Sequence, residues 1–424
     1  MPSDSTTSAP TPLRITIVGA GLGGLTAALA LRQIGHIVQV FERSDSNPEV
    51  GAALGLQPNA MRVLKHFGVQ EENMKGVLLR GVVAFDYVTG EGSGRSFAPS
   101  GEGGENEWSL ACHRTDIHEE LKRTALDPAG GHSPVSLRFG CKVVSCSPEE
   151  GDVVLESGET VHADLVLGAD GIKSLIRTHV LGHVQEALPT GITCLRTVYK
   201  APPRDGSFTG LEWFDEGIAG VRSVPSQGLP FRMILCYPCR SGELINTIHF
   251  YTETEEEMDA SITPITAAQV RAKFADYHAK FHRLLDLQSH SGQILRWRLR
   301  TVPALPTWSK GRTAILGDAA HATVPFLAQG AAMAIEDAGV LAGLLPLGTT
   351  REDVPARLAV WQDIRKPRAD FVNRTSVEQV AAIMSGRHQN AHVQGNTRAK
   401  LAEYDAIAAG RQAYQDKFAS GQNA

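Results

Sequence analysis

The stretch Arg14-Ile15-Thr16-Ile17-Val18-Gly19-Ala20-Gly21-Leu22-Gly23-Gly24 decides the fold. Ile15, Ile17 and Val18 read as a buried strand, and residues 22–34, rich in Ala and Leu, read as a helix. Residues 37–41 are a second apolar strand, so the opening is a β-α-β unit with glycines at its strand-to-helix junction. Each glycine of Gly19-x-Gly21-x-x-Gly24 has a physical task. Gly19 permits the tight turn, Gly21 lets a pyrophosphate approach the backbone, and Gly24 lets helix and strand pack closely. The helix start supplies amides and a partial positive charge to phosphates. Glu42 closes the second strand, where a carboxylate accepts bonds from ribose hydroxyls. An acid there suits FAD or NAD over NADP, and the motif does not choose between the first two.

Outward from this unit, residues 57–67 read as a helix, residues 91–107 as a Gly-, Ser- and Glu-rich loop, and residues 116–126 as a helix after His113-Arg114. Residues 135–147 and 153–161 alternate like paired strands, and 164–168 is a short buried strand. From about 185 to 300 the texture changes to strand alternation with prolines, at 193–199, 231–237, 244–251 and 294–300, around a helix expected over 267–285. In the last strand, Arg296, Arg298 and Arg300 are expected on a solvated face, with Leu295, Trp297 and Leu299 on the other. Residues 312–316 return to a parallel-type strand; helices follow over 328–346, 352–384 (kinked at Pro367) and 395–418.

The expected fold is therefore α/β. A discontinuous Rossmann-like domain (13–184 and 301–350, with some sheet-domain strands interleaved) carries an inserted antiparallel β-sheet domain (185–300). C-terminal helices (351–424) follow, and residues 1–12 are an expected disordered lead-in.

A net charge of −5 offers no basic stripe for nucleic acid. The sequence holds no run of about 18 apolar residues for a membrane span, and the first residues lack a secretory pattern. Six scattered cysteines read as reduced, which points to the cytoplasm. Cys236-Tyr237-Pro238-Cys239 ends a strand instead of opening a helix, so it reads as structural, and no metal site is expected.

Three further segments carry the functional reading. One is Gly317-Asp318-Ala319-Ala320-His321, continuing through Pro325 to Gln329-Gly330 and Glu336-Asp337. Another is Gly168-Ala169-Asp170-Gly171, with Ser174 and Arg177 following. The last is His113-Arg114-x-Asp116-x-His118-x-x-Leu121. In order and spacing these resemble the aromatic hydroxylase family, the class A flavoprotein monooxygenases, and most specifically its salicylate hydroxylase-like branch. The resemblance covers most of residues 13–385.

It implies FAD, held by Gly19, Gly21, Gly24, Glu42, Arg43 (near the adenine), Arg114 (ribose or phosphate), Asp170 and Asp318 (ribityl or pyrophosphate). Amides of the turn ending in Gln329-Gly330 would meet the flavin pyrimidine, and Pro325 would line the face where oxygen reacts. Ser174 and Arg177 would brace a helix start, and His321 would be a packed histidine. The resemblance further implies that NADH or NADPH reduces the flavin from a transient groove. O2 then adds at C4a, and the hydroperoxide hydroxylates a small phenol or aromatic acid.

Parity adds wall candidates. Arg196 shares a face with Cys194 and Val198, Arg232 shares one with Ile234 and Cys236, and Tyr237 lies opposite Arg232. An arginine could pair with a phenolate or carboxylate, and Tyr237 could donate to a phenolate or relay its proton. Epoxidation or a decarboxylating or dearomatising hydroxylation would use the same flavin chemistry. A non-catalytic binding protein on this fold is the reading from another class. A monomer or a homodimer is expected.

Overall fold

A computed structural model of the chain describes residues 10–45, 52–96, 109–129, 131–203, 205–254, 257, 264–290, 292–385 and 391–419. Much of the Gly-rich loop expected over 91–107 lies outside them. Among the described residues no helix is long and apolar enough to cross a membrane.

The opening unit forms as read. Strand Arg14–Val18 pairs in parallel with Ile37–Phe41 on one side and with Leu165–Gly168 on the other. Thr313–Ile315 joins Leu165–Gly168 in parallel, so the chain returns to this sheet after building a second one. The helices Leu22–Ile34 and Gly330–Leu344 pack against each other beside it and bury its apolar strands, as a parallel sheet requires on both faces.

The second sheet has seven strands, in the order Leu295–Thr301, Leu188–Lys200, Leu244–Thr252, Arg232–Cys239, Gly220–Pro225, Gly81–Phe85 and Gly92–Ser96. Its pairings are antiparallel except one: Gly220–Pro225 runs parallel to Gly81–Phe85, a strand supplied from early in the chain. One face is covered by an aromatic layer that includes Trp213, Phe274 and Phe281. The other face looks toward the glycine motifs.

Four expectations need correction. Residues 267–285 are not one helix but Ala267–Lys273, Ala279–His282 and a 3-10 turn, Arg283–Asp286. The break occurs because the His278 amide donates to the Tyr87 carbonyl (2.7 Å) instead of continuing a helical ladder. The last helix is likewise two, Ala391–Ala402 and Ala406–Tyr414, because the Asp405 carboxylate accepts from the Ile407 and Ala408 amides and starts a new helix. The large sheet contains the parallel pair just described. Finally, Arg296 and Arg298 are not solvated: their side chains are only 10% and 15% exposed, beside Glu257 and Glu253. Trp297, expected on the covered face, is 47% exposed, while Arg300 is exposed as expected. Both faces of this strand are occupied, one by protein and one by a cavity, so alternation alone did not identify the wet side.

The buried Cys236 and Cys239 sit at the end of a strand, and burial pushes the Cys239 thiol up to about 12.

Candidate active site

A cavity of about 600 Å³ lies between the glycine motifs and the open face of the large sheet. Four segments far apart in sequence meet there: Gly21, Arg114, Asp318 and Gly330 all line it.

Gly19 adopts φ +104°, and a Cβ there would lie 2.4 Å from the Ala169 carbonyl oxygen. A Cβ on Gly24 would lie 2.0 Å from the Gly19 carbonyl oxygen. Both glycines are therefore fixed by backbone packing between the two motifs. Gly21 differs: a Cβ there meets nothing within 4 Å, because it would enter the cavity at the start of the Leu22–Ile34 helix. This is the open cradle a pyrophosphate needs. Glu42 turns its carboxylate back to the turn and accepts from the Ala20 amide (2.9 Å) and the Ser44 amide (3.0 Å). Arg43 follows it, exposed.

The Asp170 side chain is not directed into the cavity. It accepts from the Ser174 hydroxyl (2.5 Å) and from the Leu175 and Ile176 amides, so it anchors the start of the Leu175–Leu181 helix. The backbone at Ala169 and Gly171 forms the cavity wall instead. Arg177 donates to the Ala319 carbonyl (3.0 Å) and ties this helix to the Asp318 motif.

Asp318 is exposed to the cavity at the start of a short helix, Asp318–His321. His321 is buried and lies 2.7 Å from the Asp337 carboxylate. Burial opposes ionisation of Asp337, but His321 and Arg365 outweigh it and hold the carboxyl down at about 2. Pro325 lines the cavity, Ala328 takes a left-handed φ of +52°, and the Gly330–Leu344 helix begins without a side-chain cap. Its first amides are thus available to a ligand.

The Gln329 side chain is held from behind. It donates to Gln57 (2.6 Å) and accepts from Asn59 (3.1 Å). Asn59 also donates to Glu336, which receives Arg365 and Arg368. Sequence reasoning missed Gln57, Asn59, Arg365 and Arg368. Of these only Asn59 carries a local signal, a polar residue in the buried first turn of the Pro58–His66 helix.

On the sheet side, Arg196 and Tyr237 reach the cavity together with Leu235, Phe250 and Trp297. Arg196 is half-buried, and its Nε is buried without a hydrogen-bond partner. The buried Tyr237 hydroxyl donates to the Ala53 carbonyl (3.0 Å), and burial pushes its pKa up. Arg232 is not brought to the site. Strand parity places it on the opposite face, where its guanidinium binds the Asp276 carboxylate (2.5 and 2.6 Å) and the Lys273 carbonyl. Arg398, which sequence reasoning also missed, lines the cavity from a C-terminal helix.

The FAD binding domain family profile matches residues 13–376. The chain belongs to this family, the class A FAD-dependent aromatic hydroxylases. Hispidin-3-hydroxylase of Neonothopanus nambi is 37% identical over 377 residues, covering 87% of this chain and 88% of that protein. The 6-hydroxynicotinate 3-monooxygenase of Bordetella bronchiseptica is 30% identical over 375 residues, covering 86% and 90%. Among solved structures, CtdE in complex with FAD and a substrate has a TM-score of 0.81 at 21% identity, covering 95% of this chain and 98% of that one. A salicylate hydroxylase substrate complex has a TM-score of 0.70 at 24% identity, covering 95% and 98%. These two similarities establish the fold. The family and its relatives make this chain an FAD-dependent monooxygenase.

Proposed function

We propose that this enzyme hydroxylates a small aromatic ring that carries a phenolic or acid group, consuming O2 and NADH or NADPH. The observation that carries the reading is the cavity itself. It runs from an open glycine cradle to a sheet wall bearing Arg196 and Tyr237. Relatives named for 6-hydroxynicotinate and 3-amino-4-hydroxybenzoate support an aromatic acid as the substrate class.

The residues fit FAD. The amides after Gly21 would take its pyrophosphate, Glu42 its ribose, and Arg43 and Arg114 its adenosine half. Asp318 and the start of the Gly330–Leu344 helix would take the reactive half, with Pro325 against the ring. When bound, FAD supplies the redox chemistry: it takes a hydride from the nicotinamide and activates O2 for transfer of one oxygen atom.

The protein does the rest. Arg196 pairs with a phenolate or carboxylate and favours the deprotonated, more nucleophilic ring. Tyr237 stays a neutral phenol, since burial raises its pKa. With its proton committed to Ala53, its oxygen can accept a bond from a substrate hydroxyl. Leu235, Phe250 and Trp297 keep water away from the reacting atoms.

The test is anaerobic reduction of the FAD-loaded enzyme by NADH and by NADPH, followed by flavin absorbance. It is run with and without salicylate, 4-hydroxybenzoate, 6-hydroxynicotinate and catechol. Reduction that one of these aromatics accelerates supports the reading. No reduction by either nucleotide under any condition removes it.

A further inference from the structure

The large sheet ends in the strand Leu295–Thr301, whose one ladder partner among the described strands is Leu188–Lys200. Register sets Leu295 opposite Arg196 and Trp297 opposite Cys194. Opposed residues of an antiparallel pair point to one face, so Leu295 and Trp297 stand beside Arg196 on the cavity side. All three line the cavity.

Trp297 is unlike the other described tryptophans. Trp213, Trp308 and Trp361 are buried, and each packs against another ring. Trp297 is 47% exposed, and among the described residues it is the one large apolar side chain both fully counted as exposed and on the cavity wall. A single exposed apolar group on an outer surface is ordinary. On a concave wall the same group is a contact surface for whatever enters.

The protein's own packing stops just short of this indole. Two residues along the same face, Leu299 is buried in a cluster with Phe250, Val324 and Val380. Trp297 stands where that cover ends, on the edge strand of the sheet. Arg196 and Trp297 are diagonal neighbours across the strand pair, about 7–8 Å apart. One ring bearing one acid group spans that distance, with the acid at the guanidinium and the ring face at the indole. Offset stacking of one aromatic ring on another adds attraction beyond the apolar area it buries. A saturated ring of similar size buries similar area without that addition, so such a contact sorts ligands by their π face and not by their charge.

We propose that Trp297 is a specificity-determining residue: its indole stacks on the substrate ring whose acid or phenolate group meets Arg196, so that the edge strand of the large sheet selects planar rings. This rests on the aromatic hydroxylase reading above.

The experiment uses the full chain loaded with oxidised FAD. Salicylate and 4-hydroxybenzoate are titrated by flavin absorbance, and 2-hydroxy- and 4-hydroxycyclohexanecarboxylate, which carry the same charge, are measured by competition with them. The wild type should bind at least one aromatic acid roughly fivefold or more tightly than its saturated counterpart. Trp297→Leu keeps an apolar side chain and removes the π face, and it should cut that preference by about two- to tenfold. Trp297→Phe should keep most of it. FAD content and melting temperature should match wild type in both variants, since the side chain is exposed. The proposal is overturned if Trp297→Leu keeps the wild-type preference, if Trp297→Phe loses as much as Trp297→Leu, or if the wild type shows no preference in either pair. Those outcomes differ from failure of the hydroxylase reading, which would appear as no FAD uptake or no reduction by NADH or NADPH.

Discussion

Asn59 donates to the Glu336 carboxylate at 2.6 Å, and this bond joins the Pro58–His66 helix to the helix that begins at the flavin-side turn. Glu336 is fully buried and also receives Arg365 (2.6 Å) and Arg368 (2.8 Å). Neutralising it leaves Arg365, itself fully buried, with Asp337 as its one remaining counter-charge among the described residues. Removing one partner of a buried ion pair costs about 3–5 kcal/mol. Glu336→Gln should therefore lower the free energy of unfolding read from urea titration by an amount in that range, with a lower midpoint. It should also weaken FAD binding, because Asn59 would no longer be fixed against Gln329. A midpoint and an FAD affinity both equal to wild type would refute the idea.

The motif glycines should separate by phenotype. A methyl group on Gly24 collides with the Gly19 backbone, whereas one on Gly21 enters open cavity space. Gly24→Ala should give a protein destabilised even without FAD, by about 1–3 kcal/mol as overpacking usually costs. Gly21→Val should fold with a melting temperature near that of the wild-type apoprotein and bind FAD at least roughly tenfold more weakly, since its side chain takes the space of a phosphate. Calorimetry of the apoproteins and fluorescence titration with FAD check both. Equal FAD affinity for Gly21→Val and wild type would move the pyrophosphate elsewhere.

What the sequence made legible was what is local. The glycine turn, the Asp318 segment and the Asp170 segment each declare themselves within a dozen residues, and they converge on one cavity. Parity also sorted Arg196 from its neighbours correctly, because alternation is a property of a single strand. It did not say which face of the large sheet is the cavity. Arg232 and Tyr237 lie on opposite faces of one strand, and only the packing of Ala267–Lys273 against one of them decides between the two. The same ambiguity misplaced Arg296 and Arg298. Arg365, Arg368 and Asn59 were invisible for another reason: their partners are set by helix packing between segments far apart in sequence.

The two sheet arginines provide a paired test of that sorting. Arg232 holds Asp276 in an ion pair whose side chains are 18% and 51% exposed, a setting in which such pairs contribute about 1 kcal/mol or less. Arg232→Ala should cost a little stability and leave aromatic-acid binding unchanged. Arg196→Ala should weaken binding of an aromatic acid by roughly tenfold to a hundredfold, the range of a charge-assisted bond, with little change in stability. Flavin-absorbance titration with salicylate and thermal melting of both variants would show it. If the binding loss followed Arg232 instead, the assignment of the cavity face would be wrong.

A final prediction concerns acid sensitivity. His249 is buried against Phe274 on the helix-covered face of the large sheet. Burial, reinforced by the nearby His282, pulls its pKa down to about 3. In the unfolded chain a histidine titrates near 6.5. Between these values the unfolded state binds a proton that the folded state does not, so stability falls as the pH drops from about 6.5 toward 3. The loss from this one site approaches about 1.4 kcal/mol per pH unit. Asp337, held at about 2, adds to the loss only below the ordinary carboxylate range, near pH 4 and lower. Urea midpoints at pH 7.5, 6 and 5 should therefore fall more steeply for wild type than for His249→Gln. The unfolding free energies derived from those midpoints should diverge by about 2 kcal/mol over that span, provided both are measured with FAD bound. Parallel curves would mean that His249 is protonated or hydrated in the folded protein, and that the acid-labile group lies elsewhere.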